Sequence, residues 1–541
     1  MKRSVLGMTG VIALVAVGSR IAESQVTCAT TTATTPSSAR WDGWAPDATN
    51  RRFQDAKNAG LTAADVPKLA LAWAFNLGNI TDARVQPTVV GNRVFVATPD
   101  STAFGIDRNT GCQLWRFKAG GALHAAIAVG TTADGAKGLV VFFGDQAANV
   151  YAVSAVDGAP LWKVHVDNHA TARITGAPLL HRGVLYVPVS SYEEAMALAP
   201  GYECCTFRGS VVALDAATGK QLWKSYTVPD SAKATTKSKT GAQQRGPSGA
   251  PIWSSPTYDE RRNALYVATG NNYSDPTTAN SDAVVAFDAK SGAILWSHQF
   301  TVGDATTMGC DFPGKPACPE SDGPDADFGQ PPILVSLPSG KRALVIGQKS
   351  GIAHAIDPDA KGKVLWQARI ASGGKLGGMQ WGSAADSRYM YAAISDVELR
   401  PYADSTSPMG FRLDIAPNRG GGLVALDLTT GKEAWRAAPA NVCGLQKHCA
   451  PAQSAAVTVI PGVVFSGAMD GHLRAYDAKS GKAIWDFATA REFDTVNGGK
   501  ARGGTLDVGG AAVVGGMVFV SSGYALWGGT PGNVLLAFRP K

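Results

Sequence analysis

Two cysteines, Cys204 and Cys205, stand side by side in the stretch GYECCTFRG, just before a strand-like run of apolar residues. Neighbouring Cα atoms lie about 3.8 Å apart across a trans peptide, whereas a relaxed disulfide spans roughly 4.4–6.8 Å. Either each thiol pairs with a different cysteine, or the two close a strained ring that presents a rigid, apolar surface. The spacing alone leaves both arrangements open.

A second stretch with chemical potential is GPDADFGQPPIL, residues 323–334, in which Asp325 and Asp327 are two residues apart. In an extended segment such side chains share one face, so the two carboxylates would converge. Converging carboxylates repel each other and raise one pKa unless a cation lies between them, which is the arrangement of a metal site. The alternative is a solvated acidic loop, because Asp322 directly precedes this stretch, which is rich in glycine and proline.

These residues lie among copies of a repeated unit. Each copy has an apolar run, an Asp, two residues, Thr or Ser followed by Gly, and then a Trp, as in VVALDAATGKQLW. The apolar run predicts a strand, Asp-x-x-Thr-Gly predicts a tight turn with Gly at positive φ, and the Trp begins the next strand. Seven copies or variants end at Trp115, Trp162, Trp223, Trp296, Trp366, Trp435 and Trp485.

The two ends of the chain supply the halves of an eighth unit. KLALAWAF, residues 68–75, contains the second strand, and NVLLAFRP, residues 533–540, contains the first. A small sheet that cannot bury both faces alone must stack on its neighbours. We therefore predict an all-β, eight-bladed β-propeller whose ring is closed by pairing the N- and C-terminal segments, which leaves no open sheet edge there. An irregular pair of β-sandwiches is the alternative.

The N-terminus has the features of a secretory signal peptide: a basic start, an apolar stretch from Val5 to Val17 and a small-residue cleavage site near Ser24. We expect residues 1–24 to be removed, residues 25–65 to form a leader segment and residues 66–541 to form the propeller. After that removal no apolar run is long enough for a membrane span. The sequence therefore predicts a soluble periplasmic protein.

Charge and cysteine content agree with an exported protein. The net charge of +7 comes from 50 basic and 43 acidic residues spread along the chain, which is not the pattern of a nucleic-acid-binding protein. The cysteines number eight, an even count that favours disulfides in an oxidising compartment. Besides Cys204 and Cys205, the candidate pairs are Cys28–Cys112, Cys310–Cys318 and Cys443–Cys449.

The repeats resemble those of the eight-bladed quinoprotein alcohol dehydrogenases, which use pyrroloquinoline quinone (PQQ). The resemblance covers about residues 40–541 and includes ECCTFRGSVVALDAATGKQLW, GPDADFGQPPIL and GNVLLAF. It is strongest for the members that oxidise polyvinyl alcohol. The resemblance implies oxidation of a secondary alcohol, polymeric if the substrate is polyvinyl alcohol. Because the chain has no haem-binding C-x-x-C-H motif, it also implies electron transfer to a separate periplasmic cytochrome c.

The resemblance implies residues that contact the cofactor. Trp253, in GAPIWSSPTYD, is similar to the Trp that stacks on one face of PQQ, and the Cys204–Cys205 ring is expected on the opposite face. Lys349, in LVIGQKSGIAHAID, is expected to present its charge to the quinone oxygens. Arg173 and Thr175 are expected to hold carboxylates of the cofactor, since Arg suits a bidentate contact.

A cation and a base complete the implied site. Asp327 is expected to be the catalytic base, with Asp325 sharing its face. The cation is expected to be Ca²⁺ or, because of the extra carboxylate, a trivalent lanthanide. Its ligands are Asp327, Asn271 and Glu194 or its neighbour Glu193; in an extended segment these two glutamates point to opposite sides, so only one can face the cofactor.

One alternative function remains at this stage. Non-catalytic propellers of cell-envelope assembly machinery share the repeat and bind other proteins. The paired cysteines, the Gly-Asn turn before residue 272 and the Asp cluster favour the enzyme, because such scaffolds lack the three together.

Overall fold

The structure, a computed structural model, describes residues 39–541 except 134, 200, 313, 404–410, 441 and 445. Within these residues the chain is nearly all β-structure and forms eight sheets of four or five strands arranged in a ring. The predicted eight-bladed β-propeller is confirmed. The predicted signal peptide and Cys28 lie outside the described residues.

Blades 1–7, numbered from the blade that begins at Thr88, each contain four antiparallel strands that pair in the order in which they occur in the chain. The strands of blade 1 are Thr88–Val90, Arg93–Ala97, Thr102–Asp107 and Gln113–Lys118. Those of blade 2 are Ala128–Thr131, Leu139–Gly144, Asn149–Ser154 and Pro160–His165. Those of blade 3 are Leu179–His181, Val184–Ser191, Ser210–Asp215 and Gln221–Tyr226. Two short strands extend this group: Arg40–Trp41 pairs with Thr88–Val90, and Ala172–Arg173 pairs with the end of Val184–Ser191.

The next four blades repeat the same order. The strands of blade 4 are Thr257–Asp259, Ala264–Ala268, Ala283–Asp288 and Ile294–Gln299, and those of blade 5 are Ile333–Ser336, Arg342–Gly347, Ile352–Asp357 and Lys363–Arg369. The strands of blade 6 are Ala384–Ala385, Tyr389–Ile394, Gly422–Asp427 and Glu433–Ala437. Those of blade 7 are Thr458–Ile460, Val463–Gly467, His472–Asp477 and Ala483–Ala488. In all of them the two middle strands are the most deeply buried, because both faces pack against neighbouring blades.

Blade 8 joins the two ends of the chain. The C-terminal segment supplies Ala512–Val514, Met517–Ser522 and Val534–Pro540, and the N-terminal segment supplies the outer strand, Leu69–Asn76. Leu69–Asn76 pairs antiparallel with Val534–Pro540 over its whole length. The predicted closure of the ring is therefore confirmed.

The repeat positions one blade on the next through its Trp and Gly. Asp215 Oδ1 accepts hydrogen bonds from the backbone N–H (2.8 Å) and hydroxyl (2.6 Å) of Thr218, and Gly219 follows with φ 75°. Trp162 of the preceding blade packs on Gly219, where a Cβ would lie 2.8 Å from the indole, and its Nε1 donates to Ala216 O (3.0 Å). Equivalent contacts are Trp73–Gly111, Trp115–Gly158, Trp223–Gly292, Trp296–Gly362, Trp366–Gly431 and Trp435–Gly481.

Residues 40–54, which we call the strap, cross one end of the ring and bind the innermost strands of seven blades. Backbone or side-chain hydrogen bonds and strand pairing join the strap to Val89, Val129, Tyr258, Leu334, Ala385, Val459 and Val513, in blades 1, 2, 4, 5, 6, 7 and 8 respectively. Arg52 is fully buried, and its guanidinium lies 5.3 Å and 4.7 Å from the ring centroids of Trp41 and Trp44. The strap therefore ties the blades together across the ring axis.

The remaining elements are short and lie between strands. The helical ones are Ala56–Ala59, Val66–Lys68, Glu193–Met196, Met308–Asp311 and Pro358–Ala360. The two-stranded ones are Lys233–Lys237 with Gln243–Gly246, Ser248–Gly249 with Asn272–Ser274, Leu399–Ala403 with Phe411–Ile415, and Glu492–Asp494 with Lys500–Arg502. Among the residues that the structure describes, no helix has the length and apolar character needed to span a membrane.

Disulfides form as the sequence predicted wherever both partners are described. The bonded pairs are Cys204–Cys205, Cys310–Cys318 and Cys443–Cys449. Cys112 is also disulfide-bonded, and its predicted partner, Cys28, lies outside the described residues.

A histidine buried where blade 5 packs on blade 4 makes stability depend on pH. His354 is 1% exposed, its ring centroid lies 4.2 Å from that of Phe300, and burial lowers its pKa from 6.5 to about 3. As the pH falls, His354 therefore binds a proton near pH 6.5 in the unfolded chain but only near pH 3 in the folded chain. We expect His354 alone to remove roughly 2 kcal/mol of stability between pH 7 and pH 5.

The measurement is guanidinium unfolding at several pH values. His354→Gln should flatten the fall in unfolding free energy on acidification, whereas the same change at the exposed His165 should leave the slope as it is. A His354→Gln variant with the wild-type slope would assign the acid sensitivity to other groups.

Candidate active site

A cavity of about 210 Å³ lies near the ring axis and gathers six of the residues singled out from the sequence. They are Arg173, Thr175, Glu194, Trp253, Asp327 and Lys349. Trp253 also lines a smaller cavity that reaches Trp44 of the strap, and Trp381 lines both cavities as well. The two indoles therefore form a floor between the larger cavity and the strap.

The cavity residues lie on segments that connect strands close to the axis. Arg173 pairs with the end of the second strand of blade 3 and Glu194 follows that strand, whereas Trp253 precedes blade 4 and Asp327 precedes blade 5. Lys349 lies in the turn between the second and third strands of blade 5. Loops on a rigid scaffold can bring residues that are distant in sequence to one site, which explains how blades 3–5 share this cavity.

Asp327 and Lys349 form a buried ion pair at the cavity wall. Lys349 Nζ lies 3.0 Å from Asp327 Oδ2 and 2.9 Å from Asp325 Oδ1, and it also lies 5.5 Å from the ring centroid of Trp253. The other oxygen of Asp327 accepts the backbone N–H of Asn271 at 2.6 Å. Burial disfavours the charged ammonium, but the two carboxylates outweigh it and hold the pKa of Lys349 above its ordinary value.

Asp325 converges with Asp327 on Lys349 Nζ, so a cation lies between the two carboxylates as the sequence suggested, but Asp325 does not line the cavity. Its φ is 58°, so the segment is not extended there, and Asp325 is not among the residues that line the cavity. Asp tolerates this left-handed conformation better than most residues. Its carboxylate contacts Lys349 instead, and burial raises its pKa well above the ordinary value.

Glu193 and Glu194 both lie in the first turn of a short helix, Glu193–Met196, where the sequence predicted an extended segment. Glu194 lines the cavity, and burial, followed by the charge of Asp327, raises its pKa to about 7. Glu193 is 1% exposed and binds the backbone N–H groups of Thr206 and Phe207 instead. Glu193 is therefore corrected from a candidate metal ligand to a structural carboxylate.

Three buried polar atoms of the expected binding residues have no hydrogen-bond partner among the described residues. They are Asn271 Oδ1, Arg173 Nε and Thr175 Oγ1. The amide of Asn271 is held by its nitrogen, which donates to Asn272 O (2.6 Å) and Thr306 O (2.8 Å). Because buried polar atoms normally have partners, these three fit a ligand: an amide oxygen for a hard cation, and two donors for an anionic cofactor.

Further acidic groups surround the Asp327 pair. Asp282 is fully buried, and neither of its carboxylate oxygens has a hydrogen-bond partner among the described residues. Burial raises its pKa well above the ordinary value, and the charges of Asp304, Asp327 and Asp325 raise it further. A bound cation would relieve this repulsion.

The Cys204–Cys205 ring forms, but it does not lie on the face of the cavity. Both cysteines are fully buried, and neither lines the cavity. They belong to a hydrophobic cluster that also contains Tyr273, and Tyr273 does line the cavity. The structure therefore places Tyr273, and not the disulfide, at this wall, which corrects the expected stacking surface.

Sequence reasoning missed the cavity residues from distant blades, among them Trp381 and Asp507. Trp381 meets Trp253 edge-on, with ring centroids 5.3 Å apart. Asp507 lies beside Ser454 and Trp381, and burial raises its pKa to about 6. Trp381 falls outside the repeated Trp position and Asp507 lies in TLDVGG, so their sequence context gave no signal of a shared site.

Comparison with known proteins identifies the family. Residues 41–369 match the PQQ family described as glucose/ethanol/alcohol dehydrogenase, beta-propeller domain. Polyvinylalcohol dehydrogenase from Pseudomonas sp is 41% identical over 513 residues, which cover 92% of this chain and 76% of that protein. The chain belongs to the PQQ-dependent dehydrogenase family. It is an oxidoreductase that acts on alcohols.

The chain is also similar to a second relative, to a solved structure and to a second family. Polyvinylalcohol dehydrogenase from Sphingopyxis sp. (strain 113P3) is 40% identical, with 92% of this chain and 76% of that protein covered. The crystal structure of quinohemoprotein alcohol dehydrogenase from Comamonas testosteroni shares the fold, with a TM-score of 0.65 and 20% identity over 93% of this chain and 80% of that chain. Residues 348–530 also match the family described as outer membrane protein assembly factor BamB, which is the part that contains blades 6 and 7.

Proposed function

We propose that this dehydrogenase oxidises secondary alcohols, including polyvinyl alcohol, in the periplasm, and that its electrons pass to a separate cytochrome c. The proposal includes PQQ and a cation, Ca²⁺ or a lanthanide, bound in the cavity. The observation that carries it is the meeting of Asp327, Lys349, Glu194 and Trp253 in one cavity beside buried polar atoms without partners. The names of the two most similar relatives described above support the substrate.

The cavity residues, together with the buried Asn271 that binds Asp327 from outside the cavity lining, divide into those for the cofactor and those for the cation. Trp253 offers a flat apolar floor, and aromatic stacking of this kind contributes about 0.5–1.5 kcal/mol beyond area burial. Arg173 and Thr175 offer donors to carboxylates, and Lys349 offers its ammonium to an oxygen that gains charge. Glu194, Asp327 and Asn271 Oδ1 offer the oxygen ligands that a hard cation requires.

When bound, PQQ supplies a two-electron acceptor and the cation supplies a Lewis acid. The chain itself supplies the proton acceptor: Asp327 takes the proton of the substrate hydroxyl on a carboxylate oxygen. Lys349 and the N–H of Asn271 fix the orientation of that carboxylate from both sides. Burial of Asp327, which is 5% exposed, limits competition from water.

Exposed apolar residues at the edge of the cavity support polyvinyl alcohol as a substrate. Tyr192 lines the cavity and is 47% exposed, and Leu526, next to the cavity residue Trp527, is 57% exposed. Such apolar groups suit the methylene backbone of polyvinyl alcohol. The polar insert at residues 231–249 forms strands Lys233–Lys237 and Gln243–Gly246 and contributes no residue to the cavity lining.

Reconstitution tests the proposal. The purified chain should reduce an artificial dye with secondary alcohols and polyvinyl alcohol when PQQ and Ca²⁺, or PQQ and La³⁺, are both present. Omission of PQQ or of the cation should abolish the reaction. Dye reduction that is the same with and without both additions would contradict the proposal, and a complete lack of dye reduction would favour a protein-binding scaffold.

Cell location and the acceptor are tested separately. The chain should appear in the periplasmic fraction, and reduced enzyme should reduce a periplasmic cytochrome c in the absence of dye. A cytoplasmic location would remove both parts of the proposal.

A further inference from the structure

Glu193, the glutamate that does not line the cavity, binds the loop of residues 202–207 with both of its carboxylate oxygens. Both oxygens lie 2.9 Å from the N–H of Thr206, and one accepts the N–H of Phe207 at 2.7 Å. The hydroxyl of Tyr202 donates to the other oxygen at 3.1 Å. Hydrogen bonds to an ionised acceptor are roughly twice as strong as neutral ones, so these contacts hold the loop firmly on Glu193.

The donors to Glu193 lie on both sides of the disulfide ring. Tyr202 precedes Cys204 and Cys205, and Thr206 and Phe207 follow them directly. The ring is itself anchored, because Arg245 N–H donates to Cys204 O (2.6 Å) and Cys205 N–H donates to Arg245 O (3.0 Å). Both cysteines are fully buried. The disulfide therefore fixes the segment that presents the two N–H groups to Glu193.

Glu193 is covalently joined to the cavity residue Glu194 within a helix of one turn, Glu193–Met196. A single turn is not stable alone, because helix nucleation is unfavourable. Contacts outside the helix must therefore hold it, and those of Glu193 include a bond from its own N–H to Ser191 Oγ at 2.8 Å. Displacement of Glu193 would carry Glu194 with it.

We propose that the Cys204–Cys205 ring and Glu193 form a clamp that positions Glu194 as a cation ligand. The proposal rests on the cation site of the proposed function. It gives the disulfide a role that agrees with its place outside the cavity lining. Glu193 and the disulfide are positioning residues, since neither lines the cavity in which the cation would bind.

The test measures binding of Tb³⁺ alone to the full chain without PQQ, through emission sensitised by the nearby indoles. Glu194→Gln should abolish tight binding. Glu193→Gln and the double variant Cys204→Ser/Cys205→Ser should each weaken binding by about tenfold or more, the effect of losing an outer-shell partner. The three substitutions together should weaken it no further, because non-additive effects mark residues that act as one unit.

Glu203→Gln is the matched control, because Glu203 lies in the same loop but is exposed and pairs with Arg245. It should leave Tb³⁺ affinity unchanged. Near-UV circular dichroism identifies any variant that has lost its fold, and Glu193→Asp, which keeps the charge, should recover part of the affinity. Wild-type Tb³⁺ affinity in both Glu193→Gln and the cysteine variant would overturn the clamp.

Two other outcomes separate the clamp from what it rests on. Weaker PQQ binding with unchanged Tb³⁺ affinity in the cysteine variant would return the disulfide to the cofactor and overturn the clamp. Equal Tb³⁺ affinity in the wild type and Glu194→Gln would remove Glu194 from the cation site, and with it both the clamp and that part of the proposed function.

Discussion

Asp327→Asn should lower kcat of the reconstituted enzyme by a factor of about 10²–10⁴, the range that a positioned base contributes. Asn has the shape of Asp, so its oxygen can still accept the N–H of Asn271, which now lies 2.6 Å from Asp327 Oδ1. The amide cannot accept the substrate proton, and it brings no charge to the cation. Its nitrogen would also face Lys349 Nζ, so two donors would meet where an ion pair now stands.

The measurement is steady-state dye reduction with PQQ and Ca²⁺ in excess, with thermal unfolding as a check on the fold. Asp322→Asn is the control, because Asp322 is an exposed carboxylate five residues away in the same loop. It should keep wild-type kcat. Turnover of Asp327→Asn above a tenth of the wild-type value would assign the base to another group.

Lys349→Met should have the largest effect on stability of the unloaded protein. The change leaves Asp325 and Asp327 buried without the ammonium that now lies 2.9 Å and 3.0 Å from them. Removing one partner of a buried ion pair costs about 3–5 kcal/mol, because the remaining charge has no compensation. The loss should become smaller as the pH falls, since protonation of Asp325, whose pKa burial raises, removes the repulsion between the two carboxylates.

Guanidinium unfolding of the unloaded protein with and without Ca²⁺ measures this effect. Added Ca²⁺ should restore part of the stability of Lys349→Met, because a cation can replace the lost positive charge. Lys341→Met, at an exposed position of the same blade, should be nearly neutral in both conditions. Equal stability of Lys349→Met and the wild type would mean that the two aspartates are already neutral in the folded state.

The fold could be predicted because its signal is periodic and local. A turn such as Asp215 to Gly219 can be identified within five residues, and the Trp162 contact on Gly219 is between adjacent copies of one pattern. The half-units at the two ends of the sequence together make one complete unit, so the closure of the ring could be predicted by joining them. The fold prediction did not depend on contacts between residues outside the repeated unit.

The site was predicted only in part, because its details depend on local backbone geometry and on distant loops. The choice between Glu193 and Glu194 followed from one helical turn where an extended segment was expected. Asp325 stays beside Asp327 at Lys349, but it has a positive φ where an extended segment was expected, and it does not line the cavity. Trp381 and Asp507 come from loops of blades with no distinctive motif, so only the three-dimensional arrangement reveals them.

Closure of the ring through blade 8 determines at what point during synthesis the cavity can form. Asp507 immediately precedes the strands of blade 8, and Trp527 lies between two of them, and both residues line the cavity. The last strand of that blade, Val534–Pro540, is also the partner of Leu69–Asn76. A nascent chain that still lacks Val534–Pro540 therefore has neither a closed ring nor a finished binding pocket, so loading with a small molecule must wait until that strand has been made.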